Sequence, residues 1–327
     1  MRIVFLGTPE FAARILQALI DSGEEIAAAY TQPDKPVGRK QILTPSPVKE
    51  LALSAGIPVV QPKHIKRPRW VELLREQAPD LMIVAAYGQI LSQEILDIPR
   101  YGCINLHGSL LPEYRGAAPV QWAIANGEKV TGITAMQMDA GMDTGAMLFS
   151  RSLDIRPDDT ADSLMMRLAE LGAGMIPEIL AGVGRFTPVP QQEELASYAP
   201  ILKKEDGAVD WTRPAASIDC RLRGFSPWPG AYTYLGEQKI ELLAARPAPE
   251  FDEAAEGLLP GQVLTEGLSG KHPRLLVATG AGALEVTRLQ PQGKKAMEAE
   301  AYLRGSRLQN AVFTGETRKE NTNTEEN

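Results

Sequence analysis

The chain has 327 residues, 44% hydrophobic and 23% charged, with a formal net charge of −7. That length suits two domains, and the composition is ordinarily globular, with enough apolar material for a sizeable core. No apolar run approaches the ~20 residues that cross a bilayer, and an acidic chain binds nucleic acid only through a local basic surface.

Cys103 and Cys220 share no metal or redox spacing, which points to a reducing compartment and free thiols. The apolar start at residues 3–6 is cut off by Gly7, Pro9 and Glu10, too short for a signal-peptide core, so a cytoplasmic location is expected.

The first half alternates strand and helix. Residues 2–6 form an apolar strand that turns at Gly7-Thr8-Pro9. Phe11, Ile15, Leu16, Leu19 and Ile20 then fall on one helical face. Residues 26–30 and 58–61 read as strands, with a helix between them carrying Val48, Leu51, Ala52 and Ala55 and ended by Gly56. Residues 81–86 are continuously apolar, as expected of a strand covered on both faces. Residues 103–106 and 133–138 follow as strands, and Leu164, Leu168, Leu171, Met175 and Ile179 mark a further helix. This alternation predicts a doubly wound, mostly parallel α/β sheet with its ligand crevice beyond the carboxyl ends of the strands. Segments 105–112 and 138–145 are both expected to leave strands at such ends.

Beyond Pro188 the chain becomes polar and proline-bearing, which reads as a linker over 189–206. After Gly207 the apolar runs are short: 232–235, 239–243, 275–278 and 284–289. Gly, Pro and acidic turns separate them, predicting a small β domain, a barrel, over 207–314. The polar end, 315–327, is expected to be disordered.

Four segments carry chemistry. G-T-P-E-F at 7–11 lacks the glycine spacing that brings backbone amides to phosphates, so it reads as a tight turn before a helix. Asn105 and His107, two apart on a strand, project to one side. An amide N–H can stabilise oxygen charge and an imidazole can move protons, although a buried, hydrogen-bonded core histidine fits the same spacing. M-D-A-G-M-D-T-G at 138–145 holds Asp139, which its own turn backbone can satisfy, and Asp143, which could orient or charge His107. With one histidine in the pattern and no suitably spaced thiol, no metal site is expected. The loop 34–49 is long for a compact sheet and sets Lys35, Arg39, Lys40 and Lys49 against the single Asp34. With K-H-I-K-R-P-R at 63–69 it supplies the local basic surface that nucleic-acid binding requires.

Read together, these segments resemble the methionyl-tRNA formyltransferase family over nearly the whole chain. The similar stretches are G-T-P-E-F, P-D-K-P-V-G-R with P-S-P-V-K, V-A-A-Y-G-Q-I-L at 84–91, and N-L-H-G-S-L-L-P-E-Y-R-G-A-A-P at 105–119. They continue with T-G-I-T-A-M-Q-M-D-A-G-M-D-T-G at 131–145, Y-A-P-I-L-K-K-E-D-G-A-V-D-W at 198–211, and R-L-R-G-F-S-P-W-P-G-A-Y at 221–232. Where relatives often read G-R-G-K-K, this chain reads G-R-K-Q-I.

The resemblance implies a Rossmann-like formyltransferase core over 1–188 and a small OB-like β-barrel that binds tRNA over 207–314. It implies formyl transfer from 10-formyltetrahydrofolate, without a metal, to the α-amino group of methionyl-initiator tRNA by a cytoplasmic monomer. Asn105, His107 and Asp143 match the catalytic positions. Tyr87, Gly88, Ile90, Leu91, Ser109, Leu110, Leu111, Pro112 and Asp139 are the expected folate contacts, and Lys35, Arg39 and Lys40 the expected tRNA contacts. A formyltransferase acting on a sugar-nucleotide amine and a 10-formyltetrahydrofolate hydrolase share the core motifs and stay open as alternatives.

Overall fold

The computed structural model describes residues 1–38 and 41–316, so Arg39, Lys40 and most of the 315–327 tail lie outside the described residues. The chain folds as two compact units. Among the described residues, the first comprises residues 1–120, 129–155 and 163–201, and the second comprises 121–128, 156–162 and 202–316.

The first unit is a seven-stranded sheet. Its spatial order is Met147–Asp154, Val130–Gln137, Cys103–His107, Leu81–Ala85, Arg2–Gly7, Glu25–Tyr30 and Val59–Val60. From Cys103–His107 to Val59–Val60 every pairing is parallel, whereas Val130–Gln137 runs antiparallel to both of its neighbours. The continuous apolar run is fully buried from Leu81 to Ala85, as two covered faces require. Helix Glu10–Asp21 buries Phe11, Ile15, Leu16 and Leu19 on the face its spacing predicts. Helix Ala161–Gly182 buries Leu164, Leu168, Met175 and Ile179 in the same way. At Gly7 a Cβ would meet the Ala12 Cβ at 2.6 Å and the Ala85 carbonyl oxygen at 2.9 Å. The glycine there serves close packing of strand, turn and helix.

Two features depart from the sequence reading. The segment 34–49 contains a short antiparallel hairpin, Lys35–Val37 with Ile42–Thr44, which its polar, Pro-rich composition concealed. The reversed strand Val130–Gln137 also means that segment 138–145 does not leave the sheet at the carboxyl ends of the parallel strands. Gln137 lies opposite Ile104, and the Met138 N–H donates to the Cys103 carbonyl at 2.8 Å. The segment is thus the connection of an antiparallel pair, starting beside the first residues of the strand that ends at His107. Hydrophobic periodicity carries no information on strand direction.

The second unit is an antiparallel sheet ordered Ala231–Leu235, Gln238–Pro247, Ala283–Pro291 and Leu275–Ala278, with Met297–Glu298 added to Ala283–Pro291. Isolated bridges Val263↔Val277, Gln262↔Val312 and Tyr234↔Thr314 close the ring back onto its first strand, which makes the sheet a barrel. Its core packs Trp211, Leu242, Val263, Val277, Leu284 and Phe313. A helix, Ala215–Gly224, buries Ala215, Ile218 and Leu222 ahead of the first expected barrel strand, where the sequence reading set no element. Among the described residues no helix is long and apolar enough to cross a membrane.

Inside the barrel, the Trp211 indole N–H donates to Thr233 Oγ1 at 2.9 Å, and that hydroxyl donates to the Thr314 carbonyl at 2.9 Å. Thr233→Val leaves the Trp211 N–H without its acceptor at a fully buried position, while the Thr314 carbonyl keeps the Tyr234 N–H at 2.8 Å. The variant is expected to lose about 1–3 kcal/mol of stability, read by urea unfolding followed through tryptophan fluorescence. A change indistinguishable from zero would mean that the hydroxyl carries no such role.

Candidate active site

The strand Cys103–His107 ends in the centre of the first unit and positions Asn105 and His107 on one face, 9% and 6% exposed. The His107 Nε2 lies 2.9 Å from the backbone carbonyl of Tyr114. A carbonyl only accepts, so Nε2 carries the hydrogen and Nδ1 is the nitrogen left to gain or release a proton. That Nδ1 faces Asp143 Oδ1 at 3.6 Å, just outside hydrogen-bond length.

Asp143 reaches this place although its segment starts at the other end of the histidine strand. Cys103 and His107 are four residue steps apart, roughly 13 Å at ~3.3 Å per residue, a distance that residues 138–143 and the His107 and Asp143 side chains span together. Two contacts hold the aspartate. Its Oδ2 accepts from the Gly116 N–H at 2.9 Å, and its backbone carbonyl accepts from Gln191 Nε2 at 2.8 Å. Asp143 has φ of +54°, in the left-handed region that few non-glycine residues enter, aspartate more readily than most. Asp139 behaves as a turn residue, its Oδ1 accepting from the Gly141 N–H at 3.0 Å and from the Thr144 hydroxyl at 2.7 Å.

The remaining expected folate contacts divide by exposure. The Tyr87 ring is buried with Leu91, Leu96 and Cys103. The Tyr87 carbonyl accepts from Thr8 Oγ1 at 3.2 Å and Gln32 Nε2 at 3.0 Å, joining three strand ends. Burial pushes the Tyr87 hydroxyl far above its ordinary pKa and the Cys103 thiol up to about 12, so neither supplies an anion near neutral pH. Met138 packs against the same cluster, so segments 87–91 and 138–143 share an apolar floor. Ile90 is 57% exposed and Met142 56%, leaving apolar side chains bare on both segments, while Gly88 (φ +83°) turns the chain between them and Tyr87. Ser109 is buried and tied locally, its hydroxyl donating to the Glu113 carbonyl at 2.6 Å. The Leu111 N–H donates to Thr134 Oγ1 at 3.0 Å, and a cis Leu111–Pro112 peptide follows half-buried Leu110.

A cleft of about 540 Å³ in the first unit opens elsewhere, at the start of the histidine strand, where Leu96, Gly102, Ile104, Gln137, Met138 and Val183 line it. None of Asn105, His107 and Asp143 borders it.

The basic loop is less cationic than its composition indicates. Lys35 is exposed on the hairpin, but Lys49 Nζ pairs with Asp34 at 2.6 Å, and this contact, with Gln61, holds the Asp34 carboxyl below its usual range. Exposed Ile42 and Leu43 occupy the hairpin's second strand. Arg39 and Lys40 lie outside the described residues. Sequence reasoning passed over Tyr114, Gly116 and Gln191, two of which act through backbone atoms that residue type does not reveal.

Residues 1–180 match the family described as "Formyl transferase", and residues 201–307 match "Formyl transferase, C-terminal domain". The chain therefore belongs to the formyl transferase family. Within it, the methionyl-tRNA formyltransferase of Geobacter sulfurreducens is 48% identical over 318 residues, 97% of either chain. The solved methionyl-tRNA formyltransferase from Clostridium thermocellum aligns with a TM-score of 0.55 at 22% identity, covering 75% of this chain and 92% of that one. HypX from Aquifex aeolicus, in complex with tetrahydrofolic acid, aligns with a TM-score of 0.60 at 20% identity. The match covers 93% of this chain, which spans about half the length of HypX, 47% of it. At such identities the two structures share the fold.

Proposed function

We propose that the chain transfers the formyl group of 10-formyltetrahydrofolate to the α-amino group of methionyl-initiator tRNA, giving N-formylmethionyl-tRNA for translation initiation. One juxtaposition carries the reading: a buried imidazole whose free nitrogen faces Asp143, on the same strand face as Asn105, in a chain 48% identical to a methionyl-tRNA formyltransferase over 97% of its length. The bare Ile90 and Met142 over the apolar floor suit a flat aromatic donor, with Leu110 and Leu111 as further walls.

The methionyl amine, as its neutral form, attacks the formyl carbon, and a C–N bond forms while the carbonyl π pair moves onto oxygen. The Asn105 amide and protonated Nδ1 of His107 donate to that oxygen. Asp143 faces the same Nδ1, so it stabilises the imidazolium and orients the water that takes the amine proton towards the folate nitrogen. The bond between that nitrogen and the formyl carbon then breaks as the carbonyl re-forms. Nε2 remains bound to Tyr114 throughout, so the ring does not have to turn. We take the chain to act as a monomer, and the reaction belongs in the cytoplasm, where initiator tRNA is charged.

The test is an acceptor assay with 10-formyltetrahydrofolate and methionine-charged initiator or elongator tRNA. Formylation of the initiator alone is expected. Transfer to a sugar-nucleotide amine, or release of formate to water with neither tRNA modified, points to one of the two alternative acceptors. His107→Ala is expected to lower kcat by about 10²–10⁴, and Asn105→Ala by about 10²–10³. Single-turnover rates check both, and near-native turnover in His107→Ala removes the histidine from the chemistry.

Affinity for tRNA is assigned to the 34–49 loop, through Lys35, Arg39 and Lys40, and to the barrel. Since Lys49 is already paired with Asp34, Lys49→Ala should change the salt dependence of binding less than Lys35→Ala or Arg39→Ala. Each lost phosphate contact lowers the slope of log K against log salt by about 0.9 on duplex nucleic acid. Filter binding across a salt series reads that slope, and a flat dependence in the wild type defeats the electrostatic assignment.

A further inference from the structure

Residues 189–201 are polar and proline-bearing, yet they are bonded to the active-site segments of the first unit. Tyr198 and Ala199 pair in parallel with Arg115 and Gly116, and the Tyr114 N–H donates to Ser197 Oγ at 2.9 Å. At the centre of this strap stands Gln191. Its Nε2 donates to two carbonyls of the aspartate segment, Asp143 at 2.8 Å and Gly145 at 2.7 Å. Its Oε1 accepts from Arg115 Nε at 2.9 Å. The Arg115 side chain is 1% exposed, and its Nη1 is paired with Glu193 at 2.8 Å.

The direction of the Gln191 amide follows from the neighbours. A guanidinium only donates, so Arg115 fixes Oε1 on its own side and turns Nε2 towards the carbonyls. Reversing the amide would set an oxygen against two carbonyl oxygens and an NH2 against the arginine. Asp143 gains from such restraint because its φ of +54° lies in a region that aspartate tolerates but occupies less often than the right-handed and extended ones. Its two holds are complementary: the Gly116 N–H fixes the carboxylate at 2.9 Å, and Gln191 fixes the main chain. Loss of the second lets the segment relax and withdraws Oδ1 from the histidine.

We propose that Gln191 is a positioning residue, oriented by buried Arg115, which holds the backbone of Asp143 so that its carboxylate faces Nδ1 of His107. The proposal rests on the catalytic assignment of Asp143 made above. Because Gln191 is only half-buried, its replacement by methionine, close in shape and without donor or acceptor, is a tolerable test.

In the full-length Gln191→Met protein the Gly116 amide, bonded to the Asp143 carboxylate, is expected to exchange with solvent at least ~10-fold faster. The Ala117 amide, bonded to the Ala199 carbonyl at 2.9 Å, should keep its wild-type rate. In kinetics kcat should fall by about 10–10²-fold, with KM for methionyl-tRNA changed less than about threefold. In an Asp143→Asn background the same substitution should cost less than about threefold, because residues acting as one unit are not additive. Unchanged Gly116 exchange, or an equal loss of kcat in both backgrounds, overturns the proposal.

Should Gln191→Met fail to fold, Gln191→Glu keeps an acceptor for Arg115 and turns a carboxylate oxygen onto the two carbonyls. The same losses are expected, and wild-type exchange and turnover in that variant overturn the proposal. If the wild type instead fails to transfer formyl groups, the catalytic assignment falls, while the exchange measurement still reports whether Gln191 holds the segment.

Discussion

The contact between His107 Nε2 and the Tyr114 carbonyl is the constraint on which the rest of the site depends. An imidazole has two nitrogens, and a carbonyl that can only accept assigns the permanent hydrogen to one of them. The other, Nδ1, becomes the working atom, and the ring cannot exchange the two without breaking a bond in a nearly dry environment. Asp143 faces that Nδ1 from a segment that approaches from outside the strand, and Asn105 lies two residues back on the same strand face.

That approach accounts for an otherwise awkward architecture. One antiparallel strand interrupts a parallel sheet, and its connection to the next strand starts at the wrong end for a carboxyl-end crevice. The connection is long enough to run back and deliver an acidic side chain to His107. A segment reaching that far from its anchors needs outside support, and it has two attachments, the Gly116 N–H and the Gln191 amide. Gln191 stands on the strap that pairs with residues 115 and 116. The same short stretch of chain thereby holds both the histidine's acceptor and the aspartate's donors, so His107 and Asp143 share one support.

Electrostatics separate the two substrates in a related way. The chain is acidic overall, and some of its described cations are paired: Lys49 with Asp34, Arg115 with Glu193, and Arg274 with Glu250 and Glu285. Lys35 on the hairpin and Lys63, Lys66, Arg67 and Arg69 beyond it stay exposed. Lysine counts along a loop overstate its positive field whenever a carboxylate stands opposite one of them, since an ion pair contributes little at a distance.

Much of this protein is determined by its sequence alone. The buried strand at residues 81–85, the helix faces built on Phe11 and on Leu164, and the short barrel strands follow from apolar spacing, because burial of a face is a local property of the chain. Asn105 and His107 belong together for the same reason, a two-residue period on a strand. Tertiary structure decided what is not local: the reversed strand at 130–137, the closing bridges of the barrel, the helix at 215–224, and the pairing that neutralises Lys49. It also decided which histidine nitrogen is free, since the deciding atom is the Tyr114 carbonyl, which any residue would offer. It also bonded a segment that polarity marks as a linker to the Asp143 segment, because the partners of Gln191, two carbonyls and an arginine, are distant from it in sequence. Spacing names the groups capable of the chemistry; orientation comes from backbone atoms and distant partners that only the folded chain brings into contact.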